Sequence, residues 1–400
     1  MLMETIEYYA SNKTQPVYLL LLDASKAFDR VCTSKLFHVL LKKQLCPVII
    51  RLLFYMYRHQ HIKIEWNSYQ TNTFTTQNGI KQGAVASPIL FTLYIDELFS
   101  LLEQSGMGCH VGPLYAGVYA YADDIALVSP SRGGLQHMIE ICEAFASQVD
   151  IIFNPNKTKL ICFNADTNVL VRLGGCKIMA VKSDKHLGNY ISNNVHDRNI
   201  DATICNFYRK SNEAIADFMC CESQTIHDIH RMFCMDFYGC ELWNLNKAYM
   251  GQINVAWRNV MRKVWKLPNR THNELINNFV VNVEHDIHCR MIRFIHNMLR
   301  ISYSSMTMFQ IKNCLSNRST LAENFRFLCY TYNLSMRDFQ SELDILLGKV
   351  KMKQSKLSNS LSSKISVMRE LISVRDGTYI LHSSFDMYLV DLCLQDVCTG

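Results

Sequence analysis

The first half of the chain alternates between two hydrophobic periods. Residues 17–22 form an unbroken apolar run ending on Asp23, the pattern of a short strand buried on both faces with an acid left at the sheet rim. Strand character returns at 62–66, 71–76, 160–163 and 177–181, and two β-prone arms, 114–121 and 125–128, flank Asp123 and Asp124, so the pair is expected in a hairpin turn. Between these lie helical repeats. Leu2, Ile6 and Tyr9 share a face, 36–41 and 47–56 read as helices, and Pro88 opens an apolar helix to Leu102. Leu135, Met138, Ile139, Cys142, Phe145, Ala146 and Val149 follow the i, i+3, i+4, i+7 rule of an amphipathic helix.

From about Asn199 the pattern is helical through Arg300, with faces rich in Met and aromatic residues. This shift predicts a boundary near Asn194 and three parts, 1–194, 195–301 and 302–400. The last carries no motif beyond a helical pattern, and its Lys- and Ser-rich stretch 348–366 reads as an exposed helix or link. The fold class is α+β, an antiparallel sheet with its acids at one rim and helices over the far face, followed by helical regions.

Composition refines this picture only modestly. With 400 residues, 49% of them apolar, the chain can bury a large core, and a net charge of +6 points to an anionic partner weakly. The 16 cysteines are mostly single and scattered, which fits reduced thiols in a cytosolic or nuclear setting better than a disulfide framework. No apolar run approaches the roughly 20 residues of a spanning helix, and no secretory leader is visible, so a membrane is not an expected partner. Helical periodicity from the first residues suggests a start inside a domain.

Asp23 ends one buried strand and Asp123-Asp124 sit between two others, so a sheet can bring three carboxylates to one rim. Packed carboxylates repel unless a cation neutralises them, and hard oxygen ligands suit Mg²⁺ or Mn²⁺. Two such ions about 4 Å apart serve an attacking hydroxyl and a leaving pyrophosphate. An ordinary turn and strand end capped by acids would carry the same residues.

Ordered motifs separate these readings. Leu22-Asp23-Ala24-Ser25-Lys26-Ala27-Phe28-Asp29 resembles polymerase motif A, Gly79-Ile80-Lys81-Gln82-Gly83 with Ser87-Pro88 resembles motif B, and Tyr121-Ala122-Asp123-Asp124 resembles motif C. Asn154-Pro155-Asn156-Lys157-Thr158-Lys159 is similar to motif D and His186-Leu187-Gly188 to motif E. Together they resemble the reverse transcriptases of non-LTR (LINE-like) retrotransposons over residues 1–192, with a looser likeness at 257–275 through Leu267-Pro268 and Thr271-His272.

That resemblance implies a polymerase palm with residual fingers, then a helical thumb, and an RNA-directed DNA polymerase using Mg²⁺ or Mn²⁺, an RNA template, a DNA primer and a dNTP. It assigns metal and catalytic roles to Asp23, Asp123 and Asp124, with Asp124 adding charge or holding the turn. Ala24, Phe28, Gln82, Gly83 and Lys157 become nucleotide-binding residues, Phe28 beneath the sugar where a 2′-hydroxyl would clash. Lys157 or Lys159 becomes the general acid for pyrophosphate, and His186, Leu187 and Gly188 the primer grip. Most of the fingers and any endonuclease are expected to be missing, as in a polyprotein fragment whose activity is open. The rival functions are a nucleic-acid-binding remnant without catalysis and a polymerase of another class.

Two clusters in the helical half carry alternatives. Arg209, Lys210, Arg258, Arg262, Lys263 and Lys266 interleave with Tyr208, Trp257 and Trp265, a pattern suited either to a nucleic-acid backbone or to an amphipathic helix with a charged outer face. Cys220, Cys221, His227, His230, Cys234 and Cys240 fall close together but match no compact zinc spacing, which favours core packing.

Overall fold

The apolar run at 17–22 becomes the spine of a sheet. The computed structural model describes residues 1–10, 15–76, 78–166, 168–273, 276, 282–301, 319–339, 341–358, 372–375 and 378–381. Packing divides the chain into two units, Met1–Asp197 and Arg198–Gly400.

In the first unit α1 (Leu2–Ala10) leads into β1 (Val17–Asp23), followed by α2 (Ala27–Arg30), α3 (Thr33–Lys42) and α4 (Pro47–Arg58). Two short ribbons come next, β2 (His61–Ile62) with β5 (Phe74–Thr75), enclosing β3 (Glu65–Trp66) with β4 (Tyr69–Gln70). Then come α5 (Ser87–Gln104), β6 (His110–Val111), β7 (Leu114–Tyr115), β8 (Val118–Tyr121), β9 (Asp124–Ser129) and α6 (Arg132–Val149). The unit closes with β10 (Lys159–Phe163), β11 (Leu170–Leu173), β12 (Cys176–Val181), β13 (Ser183–His186) and β14 (Asn189–Ser192). The arm expected over 114–121 breaks at Gly117, where a Cβ would collide with the ring and hydroxyl of Tyr115.

Six strands pair in the order β11-β12-β10-β1-β9-β8. β1 lies between β10 and β9, antiparallel to both. The sheet is nevertheless mixed, which corrects the antiparallel expectation: β12 runs parallel to β10, Leu160 opposite Ala180. After β10 the chain crosses to the edge strand β11 and returns through Gly174 and Gly175, both at positive φ, so β12 comes back in the direction of β10.

One face of the sheet, with Tyr18, Leu20, Leu22, Ile125, Leu127 and Leu160, shares a core with α5 and α6. Leu135, Met138, Ile139 and Cys142 of α6 are fully buried, and each such Leu or Ile stabilises by about 1.5–3 kcal/mol. Ser131 caps that helix by accepting from Gly134 N–H at 3.0 Å. Val17 and Leu19 point to the other face and are buried as well, which explains the absence of alternation in β1. The rigid layer therefore fixes where β1 ends.

The second unit is built mainly from helices Ile200–Asp217, Ser223–Phe233, Tyr249–Val264, Val283–Ile301, Thr320–Tyr332, Met336–Phe339 and Leu343–Ser358. Trp257, Phe237, Ile287, Met291, Leu328 and Phe339 anchor its core. A hairpin of Ile372–Arg375 with Thr378–Leu381 corrects the all-helical expectation for the C-terminal part. The proposed boundary at 301/302 and the second part of the 348–366 stretch lie outside the described residues. No helix among the described residues is long and apolar enough to cross a membrane.

Candidate active site

β1 and β9 end together. Their ladder runs from Tyr18 opposite Ser129 to Asp23 opposite Asp124, which puts the last residue of one strand and the first of the other side by side on the same face. On the other side of β9, Tyr121 pairs with Asp124, so Ala122 and Asp123 alone form the turn. The sequence placed both aspartates in the turn; the structure leaves only Asp123 there. Ala122 has φ of +53°, a left-handed conformation that costs an alanine on the order of 1 kcal/mol and holds a tight tip.

The pairing sets two carboxylates opposite each other. Asp23 Oδ2 is buried and has no hydrogen-bond donor; its nearest cation is Lys157, Nζ at 3.9 Å. Lost hydration raises the Asp124 carboxyl above its ordinary value, Asp123 and then Asp23 push it the same way, and His186 opposes them. The His186 ring is in turn held below its ordinary value by burial, with Asp124 pulling it up. Asp23, Asp124, Lys157 and His186 line a cleft of about 160 Å³ with Leu21, Leu22, Ile125, Asp184, Lys185 and Leu187.

A bound divalent cation fits this arrangement. An orphaned carboxylate oxygen next to a second carboxylate is a hard donor set, and Mg²⁺ is commonly held by one or two carboxylates together with water and substrate phosphate. Among the described residues no three of His, Cys, Asp and Glu are gathered closely enough to hold a metal ion by themselves, so the protein would contribute two carboxylates from this pairing, Asp23 and Asp124.

The turn before β10 is tied to Asp23. Asn154 N–H donates to Asp23 O at 2.8 Å, and Asn154 Oδ1 accepts from Asn156 N–H at 3.0 Å, an Asx turn that carries Lys157 to the cleft. Lys159 folds back to donate to Asn156 O at 3.1 Å. The lysine left undecided by sequence is thus separated by geometry. Across the cleft, β13 and β14 turn through Leu187 and Gly188, both at positive φ, with His186 opposite Asn189.

The other expected residues sit farther out. Phe28 stacks on Phe91 of α5, centroids 5.1 Å apart, and Ala24 is buried and bridges Phe153. Gly79 N–H donates to Val31 O and Ile80 N–H to Phe28 O, strapping the Gly79–Gly83 loop to α2. Gly79 has φ of +93°, and a Cβ there would stand 3.1 Å from Asp29 O. Gln82 is exposed and Gly83, φ +81°, opens onto free space. The structure therefore gathers Asp23, Asp124, Lys157, His186 and Leu187 in one cleft, whereas Ala24, Phe28, Gln82, Gly83, Asp123 and Gly188 are not among its lining residues. Asp184 and Lys185 line it too, unremarked in the sequence because a charged surface strand carries no hydrophobic signal.

In the helical unit the basic and aromatic interleaving separates into core and surface. Trp257 is fully buried, and Tyr208 and Trp265 pack against the same core. Arg209 pairs with Glu213, Lys210 with Asp236, Lys263 with Asn212, and Arg262 reaches Thr271 O and Asn273. His230 bonds Ser211 Oγ through Nε2 at 3.0 Å, and burial, with His227 nearby, pushes it down to about 4. Cys234 donates to Lys210 O, and Cys240 is fully buried.

Residues 2–207 match the family model described as reverse transcriptase (RNA-dependent DNA polymerase). Similar proteins include the retrovirus-related Pol polyprotein from type-2 retrotransposable element R2DM of Drosophila melanogaster, 30% identical over 140 residues, 35% of this chain and 13% of that protein. The Pol polyprotein from type-1 retrotransposable element R2 of Nasonia vitripennis is 27% identical over 37% of this chain and 14% of its own length. The transposon TX1 uncharacterized 149 kDa protein of Xenopus laevis is 26% identical over 39% and 12%. The aligned segments thus span only a small part of these relatives. Among solved structures, telomerase from Candida albicans in complex with a fragment of telomeric RNA is 12% identical with a TM-score of 0.39, over 94% of this chain and 55% of that one.

Proposed function

Because this chain belongs to the reverse transcriptase (RNA-dependent DNA polymerase) family and is of the non-LTR retrotransposon type, we propose that its cleft adds deoxynucleotides to a primer 3′-hydroxyl on an RNA template. The observation that carries this reading is the placement of Asp23 opposite Asp124, with Asp123 on the adjoining turn and one carboxylate oxygen left without a donor. Lys157 at 3.9 Å offsets that charge only in part, and a divalent cation arriving with the triphosphate would supply the rest.

Asp23, Asp123 and Asp124 would hold Mg²⁺ or Mn²⁺. When bound, the ion supplies Lewis acidity at the attacking hydroxyl and at the leaving pyrophosphate. The primer 3′-hydroxyl gives its proton to solvent as its oxygen forms the new bond to the α-phosphorus and the bond to pyrophosphate breaks, and the Lys157 ammonium gives a proton to the departing oxygen. Phe28, which stacks on Phe91, would lie beneath the sugar and disfavour a 2′-hydroxyl. Ala24 and the Gln82-Gly83 backbone flank the nucleotide. The primer end rests on the β13–β14 hairpin at His186, Leu187 and Gly188.

Primer extension on an RNA template with Mg²⁺ tests the assignment. Lys157→Ala slows synthesis by about 10²-fold, whereas Lys159→Ala leaves it near parental. Equal effects of the two would overturn the role of Lys157. RNA binding that persists in chelator, falls with salt and comes with no synthesis would mark a binding module.

A further inference from the structure

Thr158 follows Lys157 and is almost fully buried, 2% exposed, in a turn whose other residues are half-buried or exposed. Its hydroxyl donates to Asn154 O at 2.8 Å, an ordinary local bond. The same Oγ1 also accepts from Asp23 N–H at 3.4 Å, a partner 135 residues away in sequence. Asn154 N–H returns a bond to Asp23 O at 2.8 Å, so both backbone polar groups of Asp23 are held by one turn. A buried hydroxyl with a donor and an acceptor satisfied at once is rigid in rotamer and direction.

We propose that Thr158 is the positioning residue that fixes Lys157 and Asp23 against each other, by closing the hydrogen-bonded ring Asp23–Thr158–Asn154. The inference rests on the polymerase reading above. It deepens that reading by saying why the ammonium stands 3.9 Å from Asp23 Oδ2 although the Lys157 side chain is itself 68% exposed. A long exposed side chain is not held by its own packing, so its reach is set by the backbone that carries it. Removing the hydroxyl while keeping the β-branched shape takes away the tie to Asp23 N–H, leaves Asn154 N–H on Asp23 O, and keeps the core intact.

The test uses the full chain with Thr158→Val and Thr158→Ser, each checked by thermal melting, with Thr158→Ala in reserve should the valine variant not fold. Single-nucleotide extension gives kcat and the KM for dNTP, and Mn²⁺ binding followed by electron paramagnetic resonance gives a readout independent of turnover. Thr158→Val should lower kcat about tenfold with KM little changed and weaken Mn²⁺ several-fold, while Thr158→Ser restores both. Lys157→Ala should cost less in the valine background than in the parent, the signature of coupled residues. Parental kcat and Mn²⁺ affinity in Thr158→Val, a serine variant no better than valine, or equal Lys157→Ala penalties would overturn the assignment. So would failure of both valine and alanine variants to fold, which would make the hydroxyl purely structural. Asp123→Asn separates the two claims: if it leaves synthesis unchanged the polymerase reading falls, whereas its loss of synthesis beside a silent Thr158→Val sinks only the role of Thr158.

Discussion

The cleft and the helical core both bury titratable groups, and they treat them in opposite ways. In the helical unit, burial keeps His230 and His288 neutral, and each has a neutral hydrogen-bond partner: His230 bonds Ser211, and His288 Nδ1 meets the Tyr332 hydroxyl at 2.9 Å. What stays unpaired there is a ring nitrogen of an uncharged imidazole, as at His230 Nδ1. In the cleft the unpaired atom is a carboxylate oxygen on Asp23, opposite a second carboxylate. A neutral orphan is a small stability cost; a charged one is a vacancy for a ligand. Titratable density alone would have ranked the two regions alike.

The largest expected effect tests the cleft side of this contrast. Asp123→Asn should lower synthesis on the order of a thousandfold while leaving the thermal melt intact; an equal drop in melting temperature would mean the acid was structural. Next comes the core. Trp257→Ala should cost about 3–5 kcal/mol in urea unfolding, and a loss of only RNA affinity, with unchanged stability, would restore the aromatic residue to a nucleic-acid surface.

Acid should then distinguish the two units. His230 and His288 are held down to about 4 by burial, against an ordinary 6.5. Between those values the unfolded chain binds protons that the folded helices refuse, so stability is full above pH 6.5 and drains away as pH falls towards 4. Three of the four tryptophans, Trp243, Trp257 and Trp265, report this unit by fluorescence, and His230→Gln should flatten the slope. A pH-independent urea midpoint over that range would refute it. The smallest effect has the opposite sign. Asp124 is raised by lost hydration first, so its ionised form burdens the fold at neutral pH, and Asp124→Asn should melt roughly 1–2 °C higher at pH 7. The gain should disappear below about pH 4, where the carboxyl is protonated in both states; a lower melt at pH 7 would mean the charge stabilises.

Local pattern made some of this visible in the sequence and hid the rest. Val17–Asp23 was legible because seven residues without a polar interruption and with an acid at the end permit little else, and α6 because its buried positions keep a strict helical period. The direction of β12 was not, since only Ile178 on it is fully buried and the pattern says nothing of which neighbour it meets. The division of labour between Asp123 and Asp124 depends on the Tyr121–Asp124 pairing, a tertiary register that two adjacent acids cannot reveal. Lys157 and Lys159 have identical chemistry two positions apart, and only the Asx turn of Asn154 sends one to the cleft. The buried role of Trp257 was masked by the basic residues that share its helix, of which Arg262 bonds Thr271 O and Lys263 bonds Asn212.

Gly79 shows how a position can be intolerant without touching chemistry. It is pressed against the backbone of Asp29, at a φ that L-residues rarely adopt, on the stretch that continues from Asp23 through Phe28. In a saturation library scored by synthesis, every side chain at 79 should therefore fail about as badly as a catalytic replacement, and suppressors should arise in the 28–31 backbone rather than among the acids. Ranked by tolerance alone, this glycine would be mistaken for part of the active centre; it is the spacer that keeps two loops in register.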